Sequence, residues 1–449
     1  MVEGNGHSFS LGEVGRVGVI GGGPAGSFFS YFLLEMTARI GLEVKLDIYE
    51  PRDFTRIGPQ GCNMCGGIIS ESLLQSLAVE GIVLPSDVVQ RGIDSYFLHM
   101  DVGGVRIETP LQEKRIAAVH RGCGPRDLKE AHYTGFDNFL LQMAVSKGAR
   151  LIRKRVVGLG WEDGRPRIKA QDLADQTYDL VAVAVGVNST ALKLLEGMGL
   201  GYKSPQSTKT YIRELSLGRD TIQKYLGSSM HVFLLNIPRL EFAALIPKGD
   251  YVTLCLLGHD IDNALVHRFI SAPEVKQVLP PNWEPPDGFC HCSPRLSMKG
   301  ALQPFADRMV FVGDCGTTRL YKDGIGAAYR TAKAAAKTAV FVGISAADFR
   351  KHYWPVCEAI GKDNQIGKFV FGVTRLIQQL RFARRGVWRM VCREQNRRSA
   401  RRMSTVLWDT FTGSASYRDV FFRTLHPFFL GRLAWEMLAG LLSPRRAVN

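Results

Sequence analysis

The chain has 449 residues, 45% of them hydrophobic, and 57 Lys/Arg against 42 Asp/Glu give it a net charge of +15. That length can bury a substantial core, expected as one composite unit with an inserted domain rather than a string of separate beads. Nine irregularly spaced cysteines exclude an obvious disulfide framework, and Met1–Gly15 lacks a basic stretch followed by an apolar one, so the expectation is a protein of the reducing cytoplasm.

The first element in chain order is a strand-like run (Val17, Val19, Ile20) leading into Gly21, Gly23, Pro24, Ala25 and Gly26, a G-x-G-x-x-G spacing. An apolar helix-like segment, Ser27–Ile40, follows, then a second strand, Val44–Tyr49, closed by Glu50. Glycines suit such a turn because side chains would block the bend, a pyrophosphate and close helix–strand packing. The helix N-terminus takes the phosphate charge, and the acid binds a ribose hydroxyl. A purely structural glycine turn is the alternative, but the full strand–glycine–helix–strand–acid order favours a dinucleotide site.

Next comes Gly61-Cys62-Asn63-Met64-Cys65-Gly66-Gly67. Its C-x-x-C spacing suits a redox disulfide, or half a metal site with Cys290-His291-Cys292 as the other half. That combination is not a standard spacing, so no metal is expected. The preferred reading is a close-fitting loop beside the cofactor ring, with Cys65 as the reactive candidate and Cys62 structural. His120, Arg121 and Arg126 flank Gly122-Cys123-Gly124-Pro125, a loop expected near the cofactor. A helix Phe136–Ser146 and strands around Arg150–Val157 and Tyr178–Val185 complete a second βα-like unit.

Short β runs (His231–Asn236, Phe242–Pro247, Tyr251–Leu257) suggest a substrate domain over 191–295, between a first cofactor segment at 15–190 and a second at 296–345. Tyr211 and Arg213 either line the substrate or pack within a strand. Pro280–Pro286 reads as a stiff surface connection. Arg308–Asp314 is a strand ending in Gly313-Asp314, and Gly324, Ile325 and Gly326 open an alanine-rich helix reaching about Val342. In that layout Asp314 accepts from ribityl hydroxyls and the helix aims its positive end at a flavin pyrimidine. A late Gly-Asp strand added to an early glycine motif favours FAD over NAD. Arg319, Tyr321 and Lys322 stand between the two, either stabilising charge on reduced flavin or lying in a solvated turn.

Residues 346–449 read as a basic helical region, and from 350 onward they hold 19 Lys/Arg against 6 Asp/Glu. Arg381, Arg384, Arg385, Arg389, Arg393, Arg397, Arg398, Arg401 and Arg402 recur at helical intervals among apolar residues. The pattern suits an anionic membrane interface or a solvated helix face; no nucleic-acid signature accompanies it. Arg423, His426, Pro427, Arg432 and Glu436 argue against Phe421–Leu442 as a membrane span.

Taken together, the glycine loop, Glu50, Cys65-Gly66-Gly67, Phe136-Asp137, Gly313-Asp314 and Gly324-Ile325 resemble the geranylgeranyl reductase group of FAD-dependent oxidoreductases, within the p-hydroxybenzoate-hydroxylase-like flavoproteins. The resemblance covers roughly residues 15–345. It implies an α/β fold: a Rossmann-like FAD-binding domain, an inserted mixed α+β substrate domain and a helical C-terminal region. It also implies that Ala25, Glu50, Cys65, Gly66, Asp314, Gly324 and Ile325 contact FAD, with Val157 near the adenine. Three departures stand out: Tyr133 where the group usually has Arg, Ala184-Val185-Gly186 in place of Ala-Asp-Gly, and Phe242–Pro247 in place of an aromatic substrate motif.

The expected activity is reduction of a carbon–carbon double bond in a hydrophobic, isoprenoid-like substrate. With no second nucleotide motif evident, the external reductant would be NADPH or a small electron carrier. The alternatives are a flavin monooxygenase of an aromatic or polyketide-like compound, and a non-catalytic flavin-binding protein at a membrane; no Trp-x-Trp-x-x-Pro element supports a halogenase. The expected location is cytoplasmic, with the inner face of a membrane as the peripheral variant.

Overall fold

The computed structural model describes residues 11, 14–58, 61–62, 65–125, 128, 133–284, 291–396 and 401–442. At its centre is a six-stranded sheet in the order Phe305–Ala306, Met309–Phe311, Leu180–Val183, Val14–Ile20, Glu43–Tyr49, Arg150–Ile152. All pairings are parallel except the edge hairpin of the first two. Its strands read as continuous apolar runs because both faces are covered. Helices Pro24–Arg39, Phe136–Ser146 and Gly324–Phe341 cover one face. The antiparallel strands Val156–Glu162, Arg165–Ala170 and Gln176–Thr177 cover the other, where Ile168 and Tyr178 press on Gly18.

A seven-stranded mixed sheet stands beside it, in the order His291–Cys292, Tyr211–Ser216, Tyr251–Gly258, Leu240–Lys248, Ser229–Phe233, Ser95–Met100, Gly103–Glu108. Alternation sends Tyr211, Leu215, Leu245 and Leu254 to one face, under helices Arg219–Tyr225 and Asn263–Ile270. Ile212, Phe242, Ala244, Ile246 and Cys255 go to the other, against the C-terminal helices. Two strands of this sheet come from inside 15–190, so the chain visits the second sheet before the segment assigned to it begins. Ser229–Phe233 needs a parallel neighbour, and Ser95–Met100 supplies it.

The C-terminal region is helical, with Trp354–Gln379, Arg381–Asn396, Arg402–Thr412, Tyr417–Thr424 and Pro427–Leu442. The apolar tract Phe421–Leu442 is therefore two helices broken at Pro427, which has no amide to continue the first. No described helix is long and apolar enough to cross a membrane.

Arg381 and Arg402 of the arginine-rich stretch are exposed, while its other described arginines bind acids or carbonyls of the protein. Arg384 is buried and grips Asp101 at 2.5 and 2.7 Å, while Arg385 donates to the Gly440 carbonyl and Arg401 to that of Glu108. Arg389, Arg393 and Arg432 converge on Glu436, which is fully buried. These arginines brace helix against helix because acids remote in sequence meet them there. Arg397 and Arg398 lie outside the described residues.

Candidate functional site

The helix Pro24–Arg39 starts directly at the glycine loop, with Pro24 in its first turn. Gly21 has φ +106°, and a methyl on Gly26 would stand 1.9 Å from the Gly21 carbonyl oxygen, so both positions demand glycine. Gly23 caps the helix without any side-chain bond, and the nearest foreign atom to a methyl placed on it is Arg121 Nη2, 3.9 Å away. The first-turn amides therefore face a gap bounded by a guanidinium, which suits an anion. Glu50, 4% exposed, accepts from the Gly22 amide at 2.9 Å and from the Arg52 amide at 3.0 Å. Arg52 Nε adds a second contact to Oε1 at 3.3 Å, so Oε2 is the oxygen that keeps a lone pair for a hydroxyl.

The second half of the cradle arrives from the far end of the sheet. Gly313 has φ +68°, and a methyl there would lie 2.6 Å from the Ala25 methyl and 3.8 Å from that of Ala328. Both helix N-termini thus meet at the Gly-Asp turn. The Gly324–Phe341 helix also begins without a side-chain cap, after Asp323 in a left-handed conformation. Gly326 is required because Asp323 folds its carboxylate to 2.1 Å from where a methyl would sit; Ile325 is buried behind it. Burial pushes the Asp314 carboxyl up, opposed by Thr318 and Arg121.

Arg121 completes the cradle. It binds Asp137 at two points, 2.9 and 2.8 Å, and Asp137 is wholly buried in the first turn of Phe136–Ser146. Burial opposes the guanidinium's charge but Asp137 outweighs it, so Arg121 stays cationic while its charge also reaches Cys65 and Asp314. Sequence reading placed Arg121 near the cofactor but did not single it out. The two-point match to Asp137 was the available signal, hidden by a separation of 16 residues. Arg126 lies outside the described residues.

Cys65, Gly66 and Gly67 lie against the seven-stranded sheet. Gly67 has φ +63°, and its methyl would meet the Val119 carbonyl oxygen at 2.0 Å and Lys248 Nζ at 2.7 Å. Its glycine therefore serves contact with protein; the expected reason, approach to a ring, is not needed. A methyl on Gly66 would rest 3.6 Å from Cys255 Sγ and Ile246 Cδ1, an ordinary contact. Neither Cys62 nor Cys65 is in a disulfide. Asn63, Met64 and Cys290 lie outside the described residues. His291 and Cys292 form the edge strand beside Tyr211–Ser216, and no grouping with metal-holding geometry exists among the described residues.

Sequence reasoning missed a buried polar knot behind that loop. Lys248 Nζ donates to the Cys65 carbonyl at 3.0 Å and stands 3.8 Å from Glu214 Oε1, which also lies 3.8 Å from His120 Nδ1. Thr253 donates to Glu214 Oε2 at 2.7 Å. His120 stacks on Tyr133 at 4.5 Å, and the His120 Nε2 and Tyr133 hydroxyl have no partner among the described residues. Burial, then Lys248, hold His120 neutral, far below the ordinary histidine range.

Other expected positions fall elsewhere. Tyr211 lies on the opposite face from Glu214, stacked on His291 at 5.2 Å, so it packs within the sheet, with Arg213 on that same face. Val157 is 46% exposed on the outer antiparallel strands, five residues past Ile152, whose carbonyl accepts from the Glu50 amide. Arg319 is neither solvated nor free to serve a cofactor: it donates to the Gly413 and Ala415 carbonyls at 3.0 and 2.8 Å and covers the Tyr417 ring. Lys322 sits 4.2 Å over the Phe242 ring, and burial pulls its ammonium down to about 7.

No protein-family model and no curated protein matches this sequence. Solved structures match its fold. A geranylgeranyl bacteriochlorophyll reductase-like protein from Thermoplasma acidophilum is 17% identical, with a TM-score of 0.62 over 81% of this chain and 88% of its own. A flavoprotein/dehydrogenase from Cytophaga hutchinsonii is 15% identical, TM-score 0.59, over 96% and 100%. A point mutant of the halogenase PltM in complex with FAD is 13% identical, TM-score 0.59, over 95% and 85%. The fold is thus the Rossmann-like flavoprotein fold that the motifs led us to expect.

Proposed function

We propose that this chain binds FAD and works as an oxidoreductase, reducing a carbon–carbon double bond in a hydrophobic, isoprenoid-like substrate. The observation that carries the cofactor is the meeting of two uncapped helix N-termini with Arg121 and Asp314. In this reading Arg121 and the Gly23 turn hold the pyrophosphate, Glu50 a ribose, and Asp314 the ribityl chain, while the Gly324 helix directs its positive end at the pyrimidine. FAD would supply a hydride; the protein orients the alkene, excludes water and delivers the balancing proton, with the Cys65 thiol as candidate donor. An apolar substrate is supported by the sheet face beyond Gly66, where Ile246 and Cys255 join half-buried Ile68, Tyr321, Leu296 and Met298. The external reductant would be NADPH or a small electron carrier.

A second reading, hydroxylation of an aromatic compound, has one observation in its favour. Lys322 lies among the Phe242 and Phe411 rings, and with its ammonium near neutrality it can take a proton from a phenol. The visible spectrum of purified protein, followed by anaerobic reduction, separates the cases. Reoxidation by a polyprenyl lipid faster than by air supports the reductase. Oxygen uptake driven by an aromatic compound supports the second reading, and a colourless protein that cannot be reconstituted with FAD overturns both.

A further inference from the structure

The last helix, Pro427–Leu442, is docked tightly on its inner side. A methyl on Gly386 would meet Met437 Cγ at 2.6 Å, one on Gly440 would meet Arg385 Cβ at 3.2 Å, and Glu436 is locked by three arginines. The orientation of the helix is therefore fixed, and its outer face is apolar. Phe428 is 77% exposed, Trp435 62%, Leu438 57% and Leu442 86%. With Gly431 they follow the 3–4–3–4 spacing of a single stripe. Phe422 and Leu425 of the preceding segment are also exposed. Side chains of this size do not stay contiguous in water without a purpose.

The charge around the stripe specifies what covers it. A groove lined by Arg401, Arg402, Thr405, Asp419, Phe422, Arg423 and His426 opens beside the start of the helix, and Arg402 lies 5.9 Å over the Phe428 ring. Of the six acids from residue 350 onward, Glu394, Asp409 and Glu436 are buried. Asp419 on the groove wall is an exposed acid, set against Arg401, Arg402 and Arg423, so cations and apolar groups predominate there. Aromatic and aliphatic side chains beside arginines, with few acids exposed, match the boundary between acyl chains and anionic headgroups.

We infer that the outer face of Pro427–Leu442, with the adjoining arginine groove, docks this protein onto an anionic phospholipid surface. The earlier arginine-rich helix serves as its scaffold. A second copy of the chain is the rival occupant, but a cationic groove facing its own equivalent would repel it. The inference stands apart from the cofactor reading and survives or fails without FAD.

The test is co-sedimentation of the full-length protein with phosphatidylcholine vesicles, with and without phosphatidylserine. Binding should require the anionic lipid and weaken with salt. Trp435→Glu and Leu438→Glu, both at exposed positions, should each weaken it at least about tenfold at an unchanged melting temperature. Quenching of tryptophan emission by brominated lipid should largely disappear in Trp435→Phe. Absence of binding at low salt, or equal binding by the Glu variants, overturns the inference. So does a dimer in solution that the same variants turn into monomers.

Discussion

The Lys248 ammonium and the Glu214 carboxylate face one another 3.8 Å apart inside the protein, both shut off from solvent, and the ammonium's bond goes to the Cys65 carbonyl. Sheet and loop are thereby joined through one charge pair. Removing one member leaves the other buried and uncompensated. Lys248→Met should cost about 3–5 kcal/mol in denaturant unfolding, and adding Glu214→Gln should restore most of it. A Lys248→Met protein as stable as the parent would show that the pair does not hold the loop.

Arg121 should matter for FAD more than its neighbours do. Loss of a charge-assisted phosphate contact is worth about 1.5–3 kcal/mol, so Arg121→Met should weaken FAD binding roughly 10- to 100-fold. Titration of the apoprotein by flavin fluorescence quenching measures this. An affinity within about threefold of the parent would remove Arg121 from the pyrophosphate site.

Adjacent glycines should respond differently. Gly67→Ala forces a methyl into the Val119 carbonyl at φ +63°, and should cost about 3 kcal/mol or more. Gly66→Ala meets only ordinary contacts and should stay within about 1 kcal/mol. Thermal unfolding of the two variants side by side decides it, and equal losses would contradict the loop geometry.

Acid should unfold the protein through a pair of imidazoles. His99 Nε2 lies 2.9 Å from His231 Nδ1, both rings buried among Phe97 and Phe233. Burial, then His231, pull His99 down to about 3, and burial pulls His231 to about 4. In the unfolded chain both take protons near the ordinary value of about 6.5. Their contribution is therefore complete above that pH and is lost as pH falls toward 4 and then 3, by about 3 kcal/mol for His231 and about 5 kcal/mol for His99. His99→Phe should flatten the fall of stability between pH 6.5 and 4; an unchanged slope would place the acid lability elsewhere.

Local order carried most of what the sequence revealed. The glycine loop, Glu50 and the Gly313-Asp314 turn are read within a few residues each, and helix Phe136–Ser146 has the boundaries expected of it. The His120–Glu214–Lys248 knot was illegible because Glu214 and Lys248 come from separate strands of the seven-stranded sheet and His120 from the residue after strand Ile116–Val119 of another sheet. Arginine periodicity marked helix faces correctly, yet a period cannot tell water from a buried acid. Asp101 lies 283 positions before Arg384, and nothing local announces that they meet.

Arg319 is held by carbonyls at Gly413 and Ala415, the first of them 94 positions later in the chain. Those carbonyls follow the helix Arg402–Thr412, late in the C-terminal region. The turn ahead of the Gly324 helix therefore lacks that fastening in any chain that stops before residue 413.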